Sequence, residues 1–394
     1  MEDKSFSKYA TRGIKGVAII LMLLHHCFLG RERWEGYEVS FTPFTEHQVT
    51  VLANFSKICV AIFVFISAYG IAKSYLNFPK SAGADNNGNA LAKRAYYSNK
   101  TLTRLFKLLW GFWGSFAVWQ IFSLFNSRFS LTNCSHNYVF VYGTGFKSVL
   151  YFFTDAMGLS ELFKTPTFNG TWWYMSLAII IILIMPLLTE LYKRFGMVVV
   201  LLAPLLPQFL GIEKNNLTRY LFMIMLGILC ADKNLLEKLY NFKVCKNAYA
   251  SKTIKFIVSF LILYAVIRIR QFEGALLAQY VEVMDAVIPL FVIYFCYEFV
   301  VFLPIVKNIL QLIGKHSTTI FLTHTFFRAF YFQDFIYSFK NATLIVIMLI
   351  VVSLVYAIIY DTFVEKIGYY KLCDKVIYCI KKRFKNKTES VISK

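Results

Sequence analysis

The sequence predicts an all-α, polytopic membrane protein. Apolar residues make up 58% of the 394 residues, only 16% are charged, and the mean hydropathy is +0.55. A soluble protein typically carries about 25% charged residues, and a helix that crosses a bilayer needs roughly 20 predominantly apolar residues. Apolar runs of about that length recur along nearly the whole chain, so we expect a bundle of transmembrane helices.

Ten runs qualify as predicted membrane-spanning helices. They lie near residues 13–30, 49–72, 105–126, 171–192, 196–212, 217–231, 254–271, 281–303, 316–336 and 341–362. The first run lacks a small-residue cleavage site and is followed by Arg31 and Arg33, which favours a retained span over a signal peptide. We therefore predict a transmembrane domain over residues 1–362 and a basic, amphipathic cytoplasmic tail over residues 363–394.

The charge pattern predicts the orientation. The formal net charge is +20, and the lysines and arginines cluster in residues 73–107, residues 232–255 and the tail. With ten spans these regions and the N-terminus fall on one side, which the positive-inside rule identifies as the cytoplasm. This explanation of the charge argues against nucleic-acid binding. The aromatic residues 127–170 then lie outside, with residues 138–153 as a re-entrant or interfacial segment.

The cysteines argue against a metal site and against a disulfide framework. Eight cysteines occur at positions 27, 59, 134, 230, 245, 296, 373 and 379, without the pairwise spacing of metal ligands. Most of them lie in or beside apolar segments, where a cysteine behaves as a small buried apolar residue. We therefore expect no metal.

The adjacent His25 and His26 are the first candidates for chemistry, because they lie inside the first apolar run. Ionisable groups in hydrocarbon are costly and usually face a bundle interior or an aqueous cavity. Successive helical side chains point about 100° apart, so one histidine is expected to react and the other to pack or orient it. Lys15 precedes His26 by eleven residues, about 16 Å along a helix. The alternative is a packed histidine hydrogen-bonded to a neighbouring helix, with Lys15 reaching to the headgroups.

Four segments together resemble the acyltransferase-3 family of membrane acyl-transfer proteins. Residues 15–26, Lys-Gly-Val-Ala-Ile-Ile-Leu-Met-Leu-Leu-His-His, resemble its first helix, with lysine where arginine is commoner. Residues 57–70 resemble the second-helix stretch, in which Ala68 replaces the usual glycine after Ser67. Residues 171–176, Thr-Trp-Trp-Tyr-Met-Ser, resemble the opening of a central helix, although the acidic pair of many members is absent. Residues 314–324 resemble a late segment with serine and histidine seven apart.

The resemblance implies transfer of an acyl group, commonly acetyl from cytoplasmic acetyl-CoA, to a carbohydrate. His26 would act as the general base or as a transient acyl acceptor, in a site shielded from water. Arg104 and Lys107 resemble the family's Arg-x-x-Arg pair and, with Lys15, would hold the CoA phosphates. The alternative for this pair is topology alone, since basic residues are expected at a cytoplasmic helix end.

Further candidate site residues come from the later spans. Ser317 and His324 lie two turns apart on one helix face and could line one cavity, or they could simply form interhelical hydrogen bonds. Glu282 and Asp285 share a face and could bind acceptor hydroxyls or lie at the interface. Trp172 and Trp173 form either a sugar-stacking platform or part of an aromatic belt. The site set comprises His26, His25 and His324 as catalytic residues, Lys15, Arg104 and Lys107 for the donor, and Ser67, Trp172, Trp173, Ser317, Glu282 and Asp285 for the acceptor.

The resemblance implies an O-acetyltransferase that uses acetyl-CoA as co-substrate and modifies a surface polysaccharide or its lipid-linked precursor, and the residues above are consistent with it. A composition rich in Lys, Asn, Ile and Phe suggests the cytoplasmic membrane of a bacterium. The expected partners are membrane lipids and the carbohydrate acceptor, and a homo-oligomer is left open. The alternatives are succinyl transfer and a transporter or flippase of polysaccharide intermediates. A non-catalytic scaffold would leave the ordered histidine and basic motifs unexplained.

Overall fold

The computed structural model describes residues 6–78, 86–212, 215–271 and 281–392. These residues form helices that are joined by loops and turns. Side chains at 86–92, 208, 216–217, 270–271, 281–282 and 383–392 lie outside this description. The described residues contain no strand. Ser40 and Asn341 form an isolated parallel β-bridge. The predicted all-α class is therefore confirmed.

The helices are numbered in chain order. The first nine are α1 (Lys8–Phe28), α2 (Glu46–Phe55), α3 (Cys59–Leu76), α4 (Asn86–Phe129), α5 (Tyr138–Tyr142), α6 (Phe146–Ala156), α7 (Ser160–Phe163), α8 (Trp173–Phe195) and α9 (Met197–Leu202). The next ten are α10 (Leu206–Phe209), α11 (Asn216–Lys233), α12 (Leu235–Asn241), α13 (Ala248–Gln271), α14 (Val281–Phe295), α15 (Lys307–Lys315), α16 (Ser317–Thr325), α17 (Gln333–Tyr337), α18 (Ala342–Lys366) and α19 (Tyr369–Ile392). Residues Cys296–Val300 and Phe326–Phe330 are π-helical.

Seven helices among the described residues are long and apolar enough to cross a membrane. They are Lys8–Phe28, Glu46–Leu76, Lys93–Phe129, Gly170–Phe195, Ala248–Ile269, Val283–Val300 and Ala342–Lys366. The predicted count of ten is not confirmed, because three of the predicted spans fall outside this set. Residues 196–212 break into α9 and α10 around Pro204 and Pro207, which cannot donate helical hydrogen bonds. Residues 316–336 are interrupted after Thr325, and α11 carries Arg219, Asp232 and Lys233 within 18 residues.

The chain divides into two compact units, which are described separately. Unit 1 contains Met1–Asn77, Leu187–Thr318 and Tyr337–Ile350, and unit 2 contains Phe78–Pro186, Thr319–Ile336 and Val351–Lys394. The first histidine helix α1 belongs to unit 1, whereas α4 and His324 belong to unit 2. Each unit therefore holds its own part of the predicted site.

In unit 1 the histidine helix packs tightly against α15 through glycines. A Cβ at Gly16 would lie 2.3 Å from the carbonyl oxygen of Leu310, and one at Gly314 would lie 1.9 Å from that of Arg12. Gln311 adds a hydrogen bond from its Nε2 to the Tyr9 carbonyl at 2.9 Å. The glycine that follows Lys15 in the family-like segment thus permits close contact between two helix backbones.

Small residues also allow α3 to pack closely against α11 in unit 1. A Cβ at Gly227 would lie 2.9 Å from the Cβ of Ala68, so the small residue that replaces the usual glycine in the second motif faces a glycine on the partner helix. The close approach of the two backbones survives the substitution because one of the two positions still lacks a side chain.

Unit 2 is organised around the long helix α4 and its aromatic face. Trp119 stacks on Phe326 with ring centroids 4.2 Å apart, and also contacts Tyr356 of α18. A Cβ at Gly114 would lie 2.2 Å from the hydroxyl oxygen of Tyr360, so α4 and α18 also meet at a glycine. The site residues of this unit are carried on these packed helices.

Candidate active site

The donor-side residue of α1 is Lys15, which is partly exposed. Arg12, one turn earlier, is exposed and close enough to act on Lys15 electrostatically. Sequence reasoning did not select Arg12, although its i, i+3 spacing from Lys15 on a helix is a signal that could have identified it. Two cations on one helix face form a better anion-binding surface than one alone.

His25 is the buried member of the histidine pair. Its side chain is 8% exposed, and its Nδ1 lies 2.9 Å from the carbonyl oxygen of Ala53 in α2. A carbonyl oxygen can only accept, so Nδ1 carries the hydrogen and donates it, which leaves the lone pair of the neutral ring on Nε2. The cations of Lys57 and Arg33 lie close enough to act on His25 electrostatically. His25 is therefore fixed in orientation and in tautomer.

His26 is partly exposed, and its ring lies at 74° to the ring of His25 with centroids 5.2 Å apart. The two neighbours thus occupy different environments, as the helical geometry predicts. A reacting group must be reached by its substrates, and His26 meets this condition better than the buried His25. The assignment of His26 as the reactive residue stays a prediction with this physical basis.

Four acceptor-side candidates belong to unit 1, and the side chains of three of them are described. Ser67 of α3 is partly exposed, and Ser317 is buried at the start of α16. Asp285 of α14 forms an ion pair with Arg219, with 2.5 Å between Oδ2 and Nη2. The Glu282 side chain lies outside the described residues. Arg219 was not predicted, because nothing in the spacing links α11 to α14; its charge neutralises Asp285 and reduces the cost of holding that carboxylate in the membrane.

In unit 2 the predicted phosphate-binding pair lies on α4. Arg104 is partly exposed, and the Lys107 ammonium is 2.9 Å from Oδ1 of Asp374 on α19. The start of α19 is also fixed to α4 by two reciprocal hydrogen bonds, from Trp110 Nε1 to the Tyr369 carbonyl and from the Tyr369 hydroxyl to the Trp110 carbonyl, at 3.2 and 2.8 Å. The C-terminal helix therefore begins beside the predicted donor site.

The thiol beside this ion pair does not provide a nucleophile. Burial raises the pKa of Cys373, and the carboxylate of Asp374 acts in the same direction while Lys107 opposes it. The thiolate is the reactive form of cysteine, so a raised pKa keeps Cys373 protonated and unreactive at neutral pH. The groups of this region that suit an anion are the cations of Arg104 and Lys107.

His324 is enclosed by its own unit. It is 0% exposed, and its Nδ1 lies 3.1 and 3.0 Å from the carbonyl oxygens of Ile320 and Phe321, which makes Nδ1 the donor. Its Nε2 lies 3.3 Å from the Thr325 hydroxyl, which in turn lies 3.5 Å from the Thr171 hydroxyl. Both ring nitrogens are thus engaged within the protein.

The residues around His324 include several that sequence reasoning missed. Arg328 is buried and acts electrostatically on His324, and the i, i+4 spacing could have suggested it. Asn169 accepts hydrogen bonds from the backbone N–H and the hydroxyl of Thr171 and donates one to the Leu322 carbonyl at 3.4 Å. Asn169 and Thr171 carry no sequence signal for this role, since Asn169 meets Leu322 and Thr171 meets Thr325 only through the tertiary fold.

The two tryptophans have different environments. Trp172 is buried, donates from Nε1 to the Leu322 carbonyl at 2.9 Å, and packs edge-on against Phe112. Trp173 is partly exposed. A ring that stacks on a sugar needs an accessible face, so Trp173 is the better candidate for acceptor contact and Trp172 anchors the start of α8.

Metal chemistry has no visible basis in the described part of the chain. No group of three or more His, Cys, Asp and Glu residues there could hold a metal ion. The absence of a metal itself stays a prediction.

Apolar spanning helices, a histidine pair inside one of them and basic residues at helix ends define a multi-pass membrane protein with a candidate acyl-transfer site. The model of the acyltransferase-3 family, described as an acyltransferase domain, matches residues 9–361. The chain belongs to this family of membrane acyltransferases. No curated protein and no solved structure matches the chain.

Proposed function

We propose that this membrane acyltransferase transfers acetyl from cytoplasmic acetyl-CoA to a hydroxyl group of a surface polysaccharide or its lipid-linked precursor. The single observation that carries the proposal is the contrast within α1, where His25 is anchored to Ala53 while His26 retains exposure. Together with the family match over residues 9–361, it supports His26 as the residue that handles the proton or the acyl group.

The proposed topology has ten spans, with both termini in the cytoplasm of a bacterium. The clusters of basic residues support this orientation through the positive-inside rule. In this orientation Lys15, Arg104 and Lys107 lie at the cytoplasmic side, where acetyl-CoA is found, and hold its phosphates as charge-assisted pairs. His26 lies about 16 Å further along α1 from Lys15, on the side of the acceptor.

As general base, His26 accepts the proton of the acceptor hydroxyl while the oxygen attacks the thioester carbonyl carbon. The carbon–sulfur bond then breaks, the proton passes from His26 to the CoA thiolate, and an O-acetyl ester is the product. As acyl acceptor, the imidazole nitrogen of His26 attacks the carbonyl carbon, the carbon–sulfur bond breaks, and the CoA thiolate leaves with the imidazole proton as the thiol. In a second step the sugar hydroxyl oxygen attacks the acyl-imidazole, the carbon–nitrogen bond breaks, and the hydroxyl proton passes to the imidazole nitrogen. Trp173, Ser67 and Ser317 are the proposed acceptor contacts, and His324 supports the packing around Trp172.

The direct test uses purified protein, acetyl-CoA labelled in the acetyl group and a candidate glycan. Labelled product is expected, and His26→Ala is expected to abolish it because both proposed roles need the imidazole. His47→Ala is the matched control, since His47 is an exposed histidine of α2. Full turnover by a folded His26→Ala protein would remove His26 from the mechanism.

Two further measurements separate the alternatives. Incubation with the labelled donor but without acceptor leaves label on the protein only if an acyl-enzyme forms, and His26→Gln must then lose that label. A transporter instead moves glycan across a liposome membrane without any acyl donor. That result would contradict the proposed acyl transfer and favour the transporter alternative. Labelled succinyl-CoA in the same assay tests the choice of acyl group.

A further inference from the structure

Residues 138–163 of unit 2 connect two candidate membrane spans and have an outer surface that is unusual for a loop in water. They form the short helices α5, α6 and α7. Large apolar side chains point outward, with Phe146 77% and Phe153 61% exposed. The other exposed apolar residues of the segment are Val139, Phe140, Val149, Leu150, Met157, Leu162 and Phe163. A patch of this kind marks contact with an apolar environment.

The interior of the same segment is polar. Asp155 is 1% exposed and accepts four hydrogen bonds, from the Tyr142, Ser160 and Thr167 hydroxyls and the Phe168 backbone N–H, at 2.7–2.8 Å. Each carboxylate oxygen thus has two donors within the protein and needs no water. Internal satisfaction of polar groups is what hydrocarbon surroundings require, and a polar interior with an apolar exterior reverses the pattern of a soluble fold.

The segment also runs back along the spanning helix that precedes it. Four contacts follow α4 from its end towards its middle. Two are hydrogen bonds, from Asn126 Nδ2 to the Cys134 carbonyl at 2.8 Å and from Gln120 Nε2 to the Tyr142 hydroxyl at 3.1 Å. Next come the rings of Phe116 and Phe152, with centroids 5.2 Å apart, and a hydrogen bond from Trp113 Nε1 to the Ala156 carbonyl at 2.9 Å. Asn126 lies thirteen positions after Trp113, which corresponds to about 20 Å of helix. A loop confined to the surface would not follow a membrane span over this length.

Charge and the neighbouring surface identify what covers the exposed face. Residues 138–163 contain three charged side chains. Asp155 is enclosed, Lys147 has a long stem that lets its ammonium reach the headgroups, and Glu161 is paired with Lys164 at 3.1 Å. Over the stretch that the segment follows, α4 also exposes apolar side chains, Val118, Ile121, Leu124 and Phe125. The exposed face of residues 138–163 and the exposed face of α4 beside it are therefore both suited to apolar surroundings.

We propose that residues 138–163 form a re-entrant element whose exposed face binds the acyl chains of membrane lipids. The proposal does not depend on acetyl transfer. It places the Asp155 network within the membrane, where Asp155 holds Phe168 and so supports the neighbouring Asn169 and Trp172, which bond to Leu322 beside His324.

The test introduces tryptophan at Phe146 or Phe153 and reconstitutes the full chain in vesicles of phospholipid brominated on the acyl chain. Each added tryptophan is expected to lose emission relative to the same protein in unbrominated lipid, because bromine quenches tryptophan on contact. The added emission is the difference from the wild-type protein. Lys246→Trp, in an exposed basic loop, is the control and is expected to keep its emission.

Equal quenching at all three positions by aqueous iodide, with none by bromolipid, would place the segment in water and overturn the proposal. Protection from both quenchers would mean that protein covers the face, such as a second copy of the chain, and would overturn it as well. If a variant does not fold, a photoactivatable lipid carrying a diazirine on its acyl chain is used on the wild-type protein. Label on peptides from 138–163 supports the proposal, and label confined to the spanning helices contradicts it.

Discussion

The histidine pair of unit 1 and His324 of unit 2 present the same side chain in apolar helices but in different states. His25 and His324 both donate from Nδ1 to backbone carbonyls, His25 to another helix and His324 to its own. His324 also has a hydroxyl at Nε2, whereas His26 beside His25 remains partly exposed. The catalytic roles predicted for His26, His25 and His324 stay predictions, and the different surroundings of the three rings give each prediction its own test. We expect the partly exposed side chain of His26 to be more accessible to a substrate than the buried side chains of His25 and His324.

The largest expected effect comes from comparing His26→Asn with His324→Asn in the acetyl-transfer assay. General acid–base catalysis contributes about 10²–10⁴-fold, so the His26 variant is expected to lose turnover on that scale and to lose less stability than the His324 variant. The His324 variant is expected to unfold more easily, by about 1–3 kcal/mol, because buried hydrogen-bonding groups lose their partner. Turnover and apparent melting temperature in detergent are measured on both proteins. A His324 variant that is stable but inactive would reverse the comparison.

The packing that positions the pair can be broken next, with Gly314→Ala. Its new Cβ would lie 1.9 Å from the Arg12 carbonyl oxygen, so α1 and α15 must separate. Overpacking of this kind typically costs about 1–3 kcal/mol, which lowers the melting temperature and displaces His26. Gly70→Ala is the matched control, because no atom lies within 4 Å of its Cβ position. Equal melting temperatures for the two variants would contradict this account of the helix contact.

A smaller effect tests the anchor of His25. His25→Leu removes the donor to the Ala53 carbonyl and is expected to cost about 0.5–1.5 kcal/mol of stability, with a fall in turnover through the displaced His26. His25→Asn places an amide N–H near the position of Nδ1 and is expected to restore most of both quantities. The same loss in the two variants would show that the ring, rather than its hydrogen bond, matters.

The smallest effect concerns the donor end of unit 2. Lys107→Ala is expected to raise the KM for acetyl-CoA, whereas Asp374→Asn frees the Lys107 ammonium for phosphate and is expected to lower it. The ion pair is exposed on both sides, and such pairs contribute about 0–1 kcal/mol, so the change is at most about fivefold. Glu365→Gln removes one exposed negative charge elsewhere and is the control. An equal change in the KM for acetyl-CoA in Asp374→Asn and Glu365→Gln would indicate an effect of the overall charge. It would argue against competition between Asp374 and the donor phosphates for Lys107.

The helices were predictable where local information is sufficient. A run of about 20 apolar residues has few alternatives to a helix in a bilayer, since the backbone must satisfy its own hydrogen bonds there. Where the structure does not confirm a predicted span as one long helix, the reason is equally local. Pro204 and Pro207 break the predicted span at 196–212, and the π-helical turn after Thr325 interrupts the one at 316–336. A count of apolar runs that ignores prolines therefore predicts more long helices than the described residues contain.

Site residues were predictable only as candidates. The spacing of Lys15 and His26 along one helix follows directly from helical geometry. The pairing of Asp285 with Arg219 and of Lys107 with Asp374 joins residues that are far apart in the chain, and no spacing rule connects them. The burial of Trp172 is likewise a property of its neighbours rather than of the aromatic motif that contains it.

The sequence by itself determined that this protein is a helical membrane protein, that it resembles the acyltransferase-3 family, and which histidines lie within its apolar segments. These conclusions rest on composition, run length and short-range order, which are properties of the chain. Tertiary structure alone decided that His25 is anchored to Ala53, that His324 is enclosed, and that Asp155 collects four donors under an apolar surface. Hydrogen bonding and burial depend on which distant segments meet, and that information is present only in the folded protein.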